Sequence, residues 1–430
     1  MHAHNYHSSL LTLPRATSQQ TLAFVGSTSD SASTFTKRLN EATREVHIVS
    51  KITARDYAAV GLNDDVEVLR AYAAALSGKR IIFINATYEG GGVAIMRAPL
   101  IALLRSVGVD AHWYVLKPDE KAFLVTKRKF HNVLQNVAGP GVELTAEDKA
   151  VYEAWTKENV EALAGPISTA DVIVIDDWQP SGLIPHIKGF GGRPGLNPEA
   201  KIIFRDHIQT EGKLMSTPGT AQHKTWDYIW NHNQVCTSDI FVVHPKNEFV
   251  PPDVPAQKVA FVPAASDPLD DLNRPLGETE NLAGLTFINH QLAATENQLP
   301  LSTTRPYVAL VARFDPSKGM PNAMAAYALA REKMLRRGLA VARIPQLLIV
   351  GNGSADDPDG VPVLSEIMRL RSSTYRHIMD DIKVARVPHN DIAINAVVRN
   401  SKLVIQPSTK EGFESRVTDA ILQGKPVIGS

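Results

Sequence analysis

One cysteine, Cys236, stands in 430 residues, so no disulfide can form within the chain and no site built on several thiolates is available. Charge of one sign is missing as well: Lys plus Arg and Asp plus Glu number 45 each. A balanced chain lacks the excess positive field by which proteins hold nucleic acid or anionic membranes. Any anion it binds is expected to be small and locally held. Long apolar runs are absent too. Residues 1–20 offer only Leu10, Leu11 and Leu13 as an apolar cluster, interrupted by Pro14 and Arg15. That does not read as a secretory leader, and no stretch reaches the length of a membrane span. A reducing, cytoplasmic setting fits these absences, and no repeat or low-complexity tract complicates them.

What the chain does contain is a succession of short, β-branched apolar runs: Ile81–Ile84, His112–Val115, Val172–Ile175, Lys201–Phe204, Ile240–Val243, Tyr307–Val311, Gln346–Val350 and Leu403–Ile405. Most are apolar at nearly every position, the pattern of strands buried on both faces of a parallel sheet. Helical stretches alternate with them, for example Val93–Ser106, Lys149–Ala164, Asn322–Arg337 and Val417–Gln423. The expectation is an α/β protein. Its length favours two cores over one. The polar segment between Asn297 and Pro306 suggests a boundary, giving an extension over residues 1–77, one α/β domain over 78–300 and a second over 301–430. The extension carries a strand candidate at Leu22–Val25 and a helix candidate at Val66–Leu76. Pro426–Gly429 reads as the opening of a further strand, so the second domain is expected to be truncated.

Several polar motifs fall just past these strands, where open α/β sheets bind ligands. Glu89-Gly90-Gly91-Gly92 opens the helix at Val93. Glycines there let backbone N–H groups approach a ligand, and a helix start favours anions. The run lacks the spacing of a dinucleotide fingerprint and the Lys-Ser/Thr of a P-loop, and by itself it also fits a tight turn. Pro99 should kink the helix that follows. Arg313-Phe314-Asp315-Pro316-Ser317-Lys318-Gly319 follows Tyr307–Val311. A planar guanidinium and a point-charge ammonium suit phosphate oxygens, although charge alone would equally describe a solvated loop. Gly351 and Gly353 end the strand Gln346–Val350.

Glu411-Gly412-Phe413-Glu414 precedes the helix around Val417, with Asp419 eight residues after Glu411. A carboxylate there can bind sugar hydroxyls while helix N–H groups face phosphate, or it can simply complement the helix dipole. In the first half, Asp177 and Gln179 follow Val172–Ile175, and Arg205 and His207 follow Lys201–Phe204. His207 could bond a hydroxyl or assist proton transfer. His131, His232 and His244 show no ligand-like spacing, and no metal site is expected.

Taken together, these segments resemble the retaining glycosyltransferases of the GT-B group, and more narrowly fungal-type trehalose phosphorylase and trehalose glycosyltransferring synthase. The likeness runs in order through INATYEGGGVAIM (Ile84 to Met96), TKRKFHNVLQ (Thr126 to Gln135), IDDWQPSGLIP (Ile175 to Pro185), FRDHIQTE (Phe204 to Glu211), VARFDPSKG (Val311 to Gly319), GNGSADDPDG (Gly351 to Gly360) and STKEGFESRVTDAILQGKPVIG (Ser408 to Gly429). FRDHIQ and GNGSADDPDG tilt it toward the phosphorylase.

The resemblance implies two Rossmann-like domains facing a cleft, the first holding the acceptor and the second the donor phosphate. It implies that Arg313 and Lys318 hold phosphate and that Glu411 contacts the donor glucose. The family's second acid, which generally contacts a nucleotide ribose, is Asp419 here and one methylene shorter than Glu. Front-face transfer, with phosphate assisting the acceptor's proton, comes with the same likeness. The leading expectation is reversible conversion of trehalose and phosphate into glucose and glucose 1-phosphate, without a cofactor. Alternatives are a trehalose synthase using nucleoside diphosphate glucose and a sugar-binding regulator that has lost turnover. Partners are then small molecules (trehalose, glucose, phosphate or NDP-glucose), with no nucleic acid, no membrane, and a homodimer left open.

Overall fold

The computed structural model describes residues 33–429 apart from Gly90, 295–297, Thr303, 353–359 and 411–412. An antiparallel hairpin, β1 (Phe35–Leu39) and β2 (Val46–Ser50), leads into helix α1 (Asn63–Ala75). The strand candidate at Leu22–Val25 lies outside the described residues.

The first sheet is six-stranded and parallel, in the order β10-β9-β8-β5-β3-β4. Its strands are β3 (Arg80–Asn85), β4 (Asp110–Val115), β5 (Val172–Asp176), β8 (Lys201–Arg205), β9 (Ile240–Val243) and β10 (Val259–Phe261). A two-residue ribbon, β6 (Gly189–Phe190) with β7 (Arg193–Pro194), stands apart. Helices α2 (Gly92–Ser106) and α3 (Ala146–Thr169) cover this sheet. Alternation is present but hidden, because both faces are apolar. Ile82 and Ile84 pack into one core with Ile173, Ile175, Ile202 and Phe204, while Ile81 and Phe83 pack into another with Ala111 and Trp113.

A second parallel sheet has the order β13-β12-β11-β14-β15, from β11 (Tyr307–Val311), β12 (Gln346–Asn352), β13 (Ile382–Val387), β14 (Leu403–Gln406) and β15 (Val427–Gly429). Its helices are α4 (Glu278–Ala294), α5 (Met320–Arg336), α6 (Gly360–Ser372), α7 (Asp391–Asn400) and α8 (Ser415–Leu422). Ala309 and Val311 face one core and Leu310 the other. Ile288 and Leu292 of α4 share the core of Tyr307, Ala393 and Val397. By packing, this helix therefore serves the second sheet, although it precedes the polar segment at 298–305.

Each expected strand from Ile81 onward has its counterpart in one of these two sheets. Helices α4, α6 and α7, however, and strands β1, β2, β6, β7, β10 and β13 are additions. β13 reads Ile-Lys-Val-Ala-Arg-Val, and its Lys383 is buried. A long charged side chain can bury its methylene stem, so charge masked a central-layer strand. Helix α2 runs through Pro99 as one element. A capping box between Thr145 and Asp148 starts α3, satisfying N–H groups that the first turn leaves free. Among the described residues, no helix is long and apolar enough to cross a membrane.

Residues 34–77 belong with the first sheet. Val115 N–H donates to Arg44 O at 3.0 Å, and Arg44 Nη2 donates to Leu116 O at 2.9 Å. Tyr57 and Leu62 reach the mouth of the cleft.

Gly319, between the turn Pro316–Lys318 and α5, shows how tightly the second half is closed. It sits at φ 62°, and a Cβ there would overlap the carbonyl oxygen of Pro407. The left-handed conformation alone costs an L-residue about 1–2 kcal/mol. Gly319→Ala should lower unfolding stability by more than about 2 kcal/mol once the overlap is added, as read from urea midpoints.

Candidate active site

A cavity of about 520 Å³ opens past the C-terminal ends of β3, β5, β8, β9 and β11, within the size range of small-molecule sites. Gly91, Gly92, Asp177, Gln179, Arg205, His207, Arg313, Phe413 and Asp419 line it. A smaller space of about 120 Å³ shares Gly92, Arg313 and Phe413 with it and adds Lys318 and Gly351. Glu411, Gly412 and Gly353 lie outside the described residues. Residues spread over more than 300 positions thus meet at one cleft because both sheets end there.

On the first-sheet side the site is organised around Asp176, a fully buried carboxylate at the end of β5. Arg97 of α2 forks onto it, with Nη2 2.6 Å from Oδ1 and Nε bonded to Oδ2. His207 Nε2 lies 2.8 Å from the same Oδ1. Burial pushes the Asp176 carboxyl up, but Arg97 and the His207 hydrogen bond outweigh it and hold the group below the usual carboxylate range. Burial takes the His207 imidazole down to about 4, with Asp176 opposing only in part. The ring is therefore neutral at pH 7. Beside a carboxylate it donates from Nε2, which leaves Nδ1 an acceptor. Arg205 is held down to about 10 by burial and by the charge of Arg97, and it stays cationic.

His244 meets His207 edge-on at 6.2 Å between ring centroids and stacks on Phe413 at 6.0 Å and 19°. Burial, then the charge of Arg205, lowers it to about 4. Phe413 comes from the second half, so this aromatic pair closes the cavity across the cleft. His131 is buried with Nε2 3.6 Å from Asp177 Oδ2. Burial and the charges of Lys127 and Arg313 bring it to about 3.

On the other side Arg313 leaves β11 and borders both spaces. Lys318 Nζ lies 3.0 Å from Glu414 Oε2, and Glu414 caps α8 by accepting from Arg416 N–H. Three helix starts reach the smaller space: Gly92 of α2, Asp391 of α7 and Ser415 of α8. The start of α2 carries no side-chain cap. Free N–H groups and aligned peptide dipoles favour an anion at such points. The cations Arg313 and Lys318 and the carboxylates Asp391 and Glu414 line the same space. Asp419 is buried and ion-paired with Arg416 at 2.8 Å.

The glycines divide by cause. A Cβ on Gly351 would overlap the carbonyl oxygen of Ala312, just past the adjoining strand β11, so close packing within the protein requires glycine there. Gly91 and Gly92 have ordinary φ and nothing within 4 Å of a Cβ position. Neither the turn nor a neighbour demands glycine at these two positions. The room they leave belongs to the cavity.

Sequence reasoning missed Arg97, Lys127, His131, Asp176 and His244. His244 follows β9 as His207 follows β8, so the strand-end rule would have found it. Lys127 and His131 sit inside the segment Thr126 to Gln135, which entered only as part of the resemblance and without a role for either residue. The Arg97–Asp176 pair spans 79 positions and leaves no local signal. His232 is half-exposed and stacks on Tyr228, away from the cavity.

Comparison with known proteins follows this geometry. Residues 83–251 match the family described as trehalose synthase, N-terminal domain, and residues 273–430 match family 4 glycosyltransferase in conflict systems. The trehalose phosphorylase of Pleurotus pulmonarius is 40% identical over 357 residues, covering 81% of this chain and 47% of that protein. The chain therefore spans about half the length of the fungal relatives it matches. The trehalose synthase of Thermococcus litoralis is 32% identical over 378 residues, covering 87% of this chain and 79% of that protein. An apo structure of OtsA superposes with a TM-score of 0.59 at 13% identity, over 82% of this chain and 84% of that one, a likeness of fold.

The lowered histidines set a pH dependence. A buried His207 near 4 binds its proton later than the unfolded chain does near 6.5. Stability is therefore lost as pH falls from about 6.5 toward 4, by up to about 2 kcal/mol between pH 7 and 5 for this residue. His207→Gln, which can still donate to Asp176, should lose less stability than wild type over that interval, as measured by urea midpoints at both pH values.

Proposed function

The chain belongs to the family of GT-B glycosyltransferases that contains trehalose synthase and trehalose phosphorylase, and from that premise we propose that it transfers glucose with retention between trehalose and phosphate. The supporting observation is the space bordered by Arg313 and Lys318, reached by three helix starts and sharing lining residues with a sugar-sized cavity. Residues 78–300 would serve the acceptor sugar and residues 301–430 the phosphate, helix α4 packing with the latter. A cytoplasmic setting suits the lone Cys236.

In the phosphorolytic direction a phosphate oxygen forms the new bond to the anomeric carbon on the face from which the glycosidic oxygen departs. That oxygen leaves as a hydroxyl of glucose, taking the proton that phosphate carried. Charge shifts during this exchange onto a group facing Arg313, Lys318 and backbone N–H donors. Fixed donors stabilise such charge most where water is excluded. Neutral His207, with Asp177, Gln179 and Arg205, would hold sugar hydroxyls, and Gly91 and Gly92 would let the sugar approach the start of α2. Glu411 is assigned to the donor glucose on family likeness alone. Ordinary retaining glycosidases place a second carboxylate as nucleophile; none of these roles uses one.

One observation favours a second reading. The chain spans most of the length of the Thermococcus litoralis trehalose synthase, which supports a nucleoside diphosphate glucose donor. Against it, Asp419, the candidate ribose acid, is engaged by Arg416.

Incubation of the full-length protein with trehalose and phosphate is expected to release glucose 1-phosphate. Consumption of a nucleoside diphosphate glucose with glucose, and no phosphorolysis, would select the second reading. Arg313→Ala and Lys318→Ala should each reduce kcat/KM for phosphorolysis by about 100-fold or more, with Lys318→Ala also lowering the thermal midpoint because Glu414 loses its ammonium partner. Near-normal rates in both variants would sink the phosphate assignment.

A further inference from the structure

The loop that carries Arg313 and Lys318 is fastened from the opposite half of the molecule, and we propose that Lys127, acting through Asp315, is a positioning residue for phosphate binding. The inference rests on the phosphate assignment of that loop. Lys127 lies in a π-type turn, Thr126–His131, of the first half. Its Nζ reaches Asp315 Oδ2 at 2.6 Å across 188 positions of sequence, and both side chains are buried.

Asp315 divides its two oxygens between two tasks. Oδ1 accepts from Ser317 N–H at 2.8 Å and from Ser317 Oγ at 2.7 Å, closing the short turn Pro316–Lys318 that aims Lys318. Oδ2 is held by Lys127, with Arg313 Nη2 3.9 Å away, in Coulomb range but beyond hydrogen-bond distance. One carboxylate therefore shapes the loop and ties it to the acceptor half. Burial alone would raise this carboxyl, and Lys127 and then Arg313 reverse that.

Two features separate this pair from ordinary ion pairs. The neighbouring cross-cleft pair, Lys410 with Glu211, is part-exposed, and such pairs contribute roughly 0–1 kcal/mol. Removing one partner of a buried pair costs about 3–5 kcal/mol, because the other charge is stranded. Moreover, Lys127 lines the larger cavity and not the smaller one that Lys318 borders. That location suits a residue acting through the loop rather than on the anion.

Calorimetric titration of inorganic phosphate into the full chain tests this. Asp315→Asn deletes a negative charge beside the loop, so a purely electrostatic role predicts tighter phosphate binding. Positioning predicts the opposite, a loss of at least about tenfold. Lys127→Met should show the same loss. Lys127→Met/Asp315→Asn strands no charge, so it should keep a near-wild-type thermal midpoint, yet bind phosphate no better than either single variant. Lys127→Arg should restore most of the affinity. Unchanged or tighter binding in Asp315→Asn overturns the proposal while leaving the phosphate assignment intact. Absence of phosphate binding by the wild-type protein overturns both.

Discussion

Charge removed from water has to be answered by opposite charge nearby, and at this cleft the demand falls on two carboxylates. Asp176 is answered by Arg97 from α2 and by a hydrogen bond from His207. Asp315 is answered by Lys127 and by its own loop. Neither could stay ionised alone at such burial. The first pair ties a sheet to the helix that opens at the smaller space. The second joins the two halves across the site. His207 bonds to the first carboxylate, and the turn that carries Lys318 is closed on the second.

The same burial sorts the chemistry available on each side. Desolvation and neighbouring cations keep His131, His207 and His244 neutral, suited to hydroxyl groups rather than to anions. Across the cleft, guanidinium, ammonium and uncapped peptide N–H groups gather around a space small enough for a compact anion. A sugar and a phosphate make opposite demands, one for neutral donors and acceptors and the other for fixed positive charge. Under the proposed reading the two sides would meet those demands separately while sharing Gly92, Arg313 and Phe413.

Much of this was legible in the chain. The runs at Ile81–Ile84 and Tyr307–Val311 are apolar on both faces, and such strands can exist only between two layers of helices. The strand-end rule placed Asp177, Arg205, His207 and Arg313 past strand C-termini, the ends that meet at the cleft. β13 escaped because Lys383 buries a charged side chain within it. The meaning of the glycines also needed coordinates: Gly351 answers to Ala312 of the next strand, whereas Gly91 and Gly92 answer to open space.

Periodicity and motif order, which are local properties, determined the α/β class, the succession of strands and helices, and the nature of the residues at the strand ends. Tertiary structure alone decided which buried charges pair. Arg97 with Asp176, and Lys127 with Asp315, lie 79 and 188 positions apart. Pairing at such separations is set by how sheets and helices pack, and each ion is stable there only because its partner arrives with a different element of the fold.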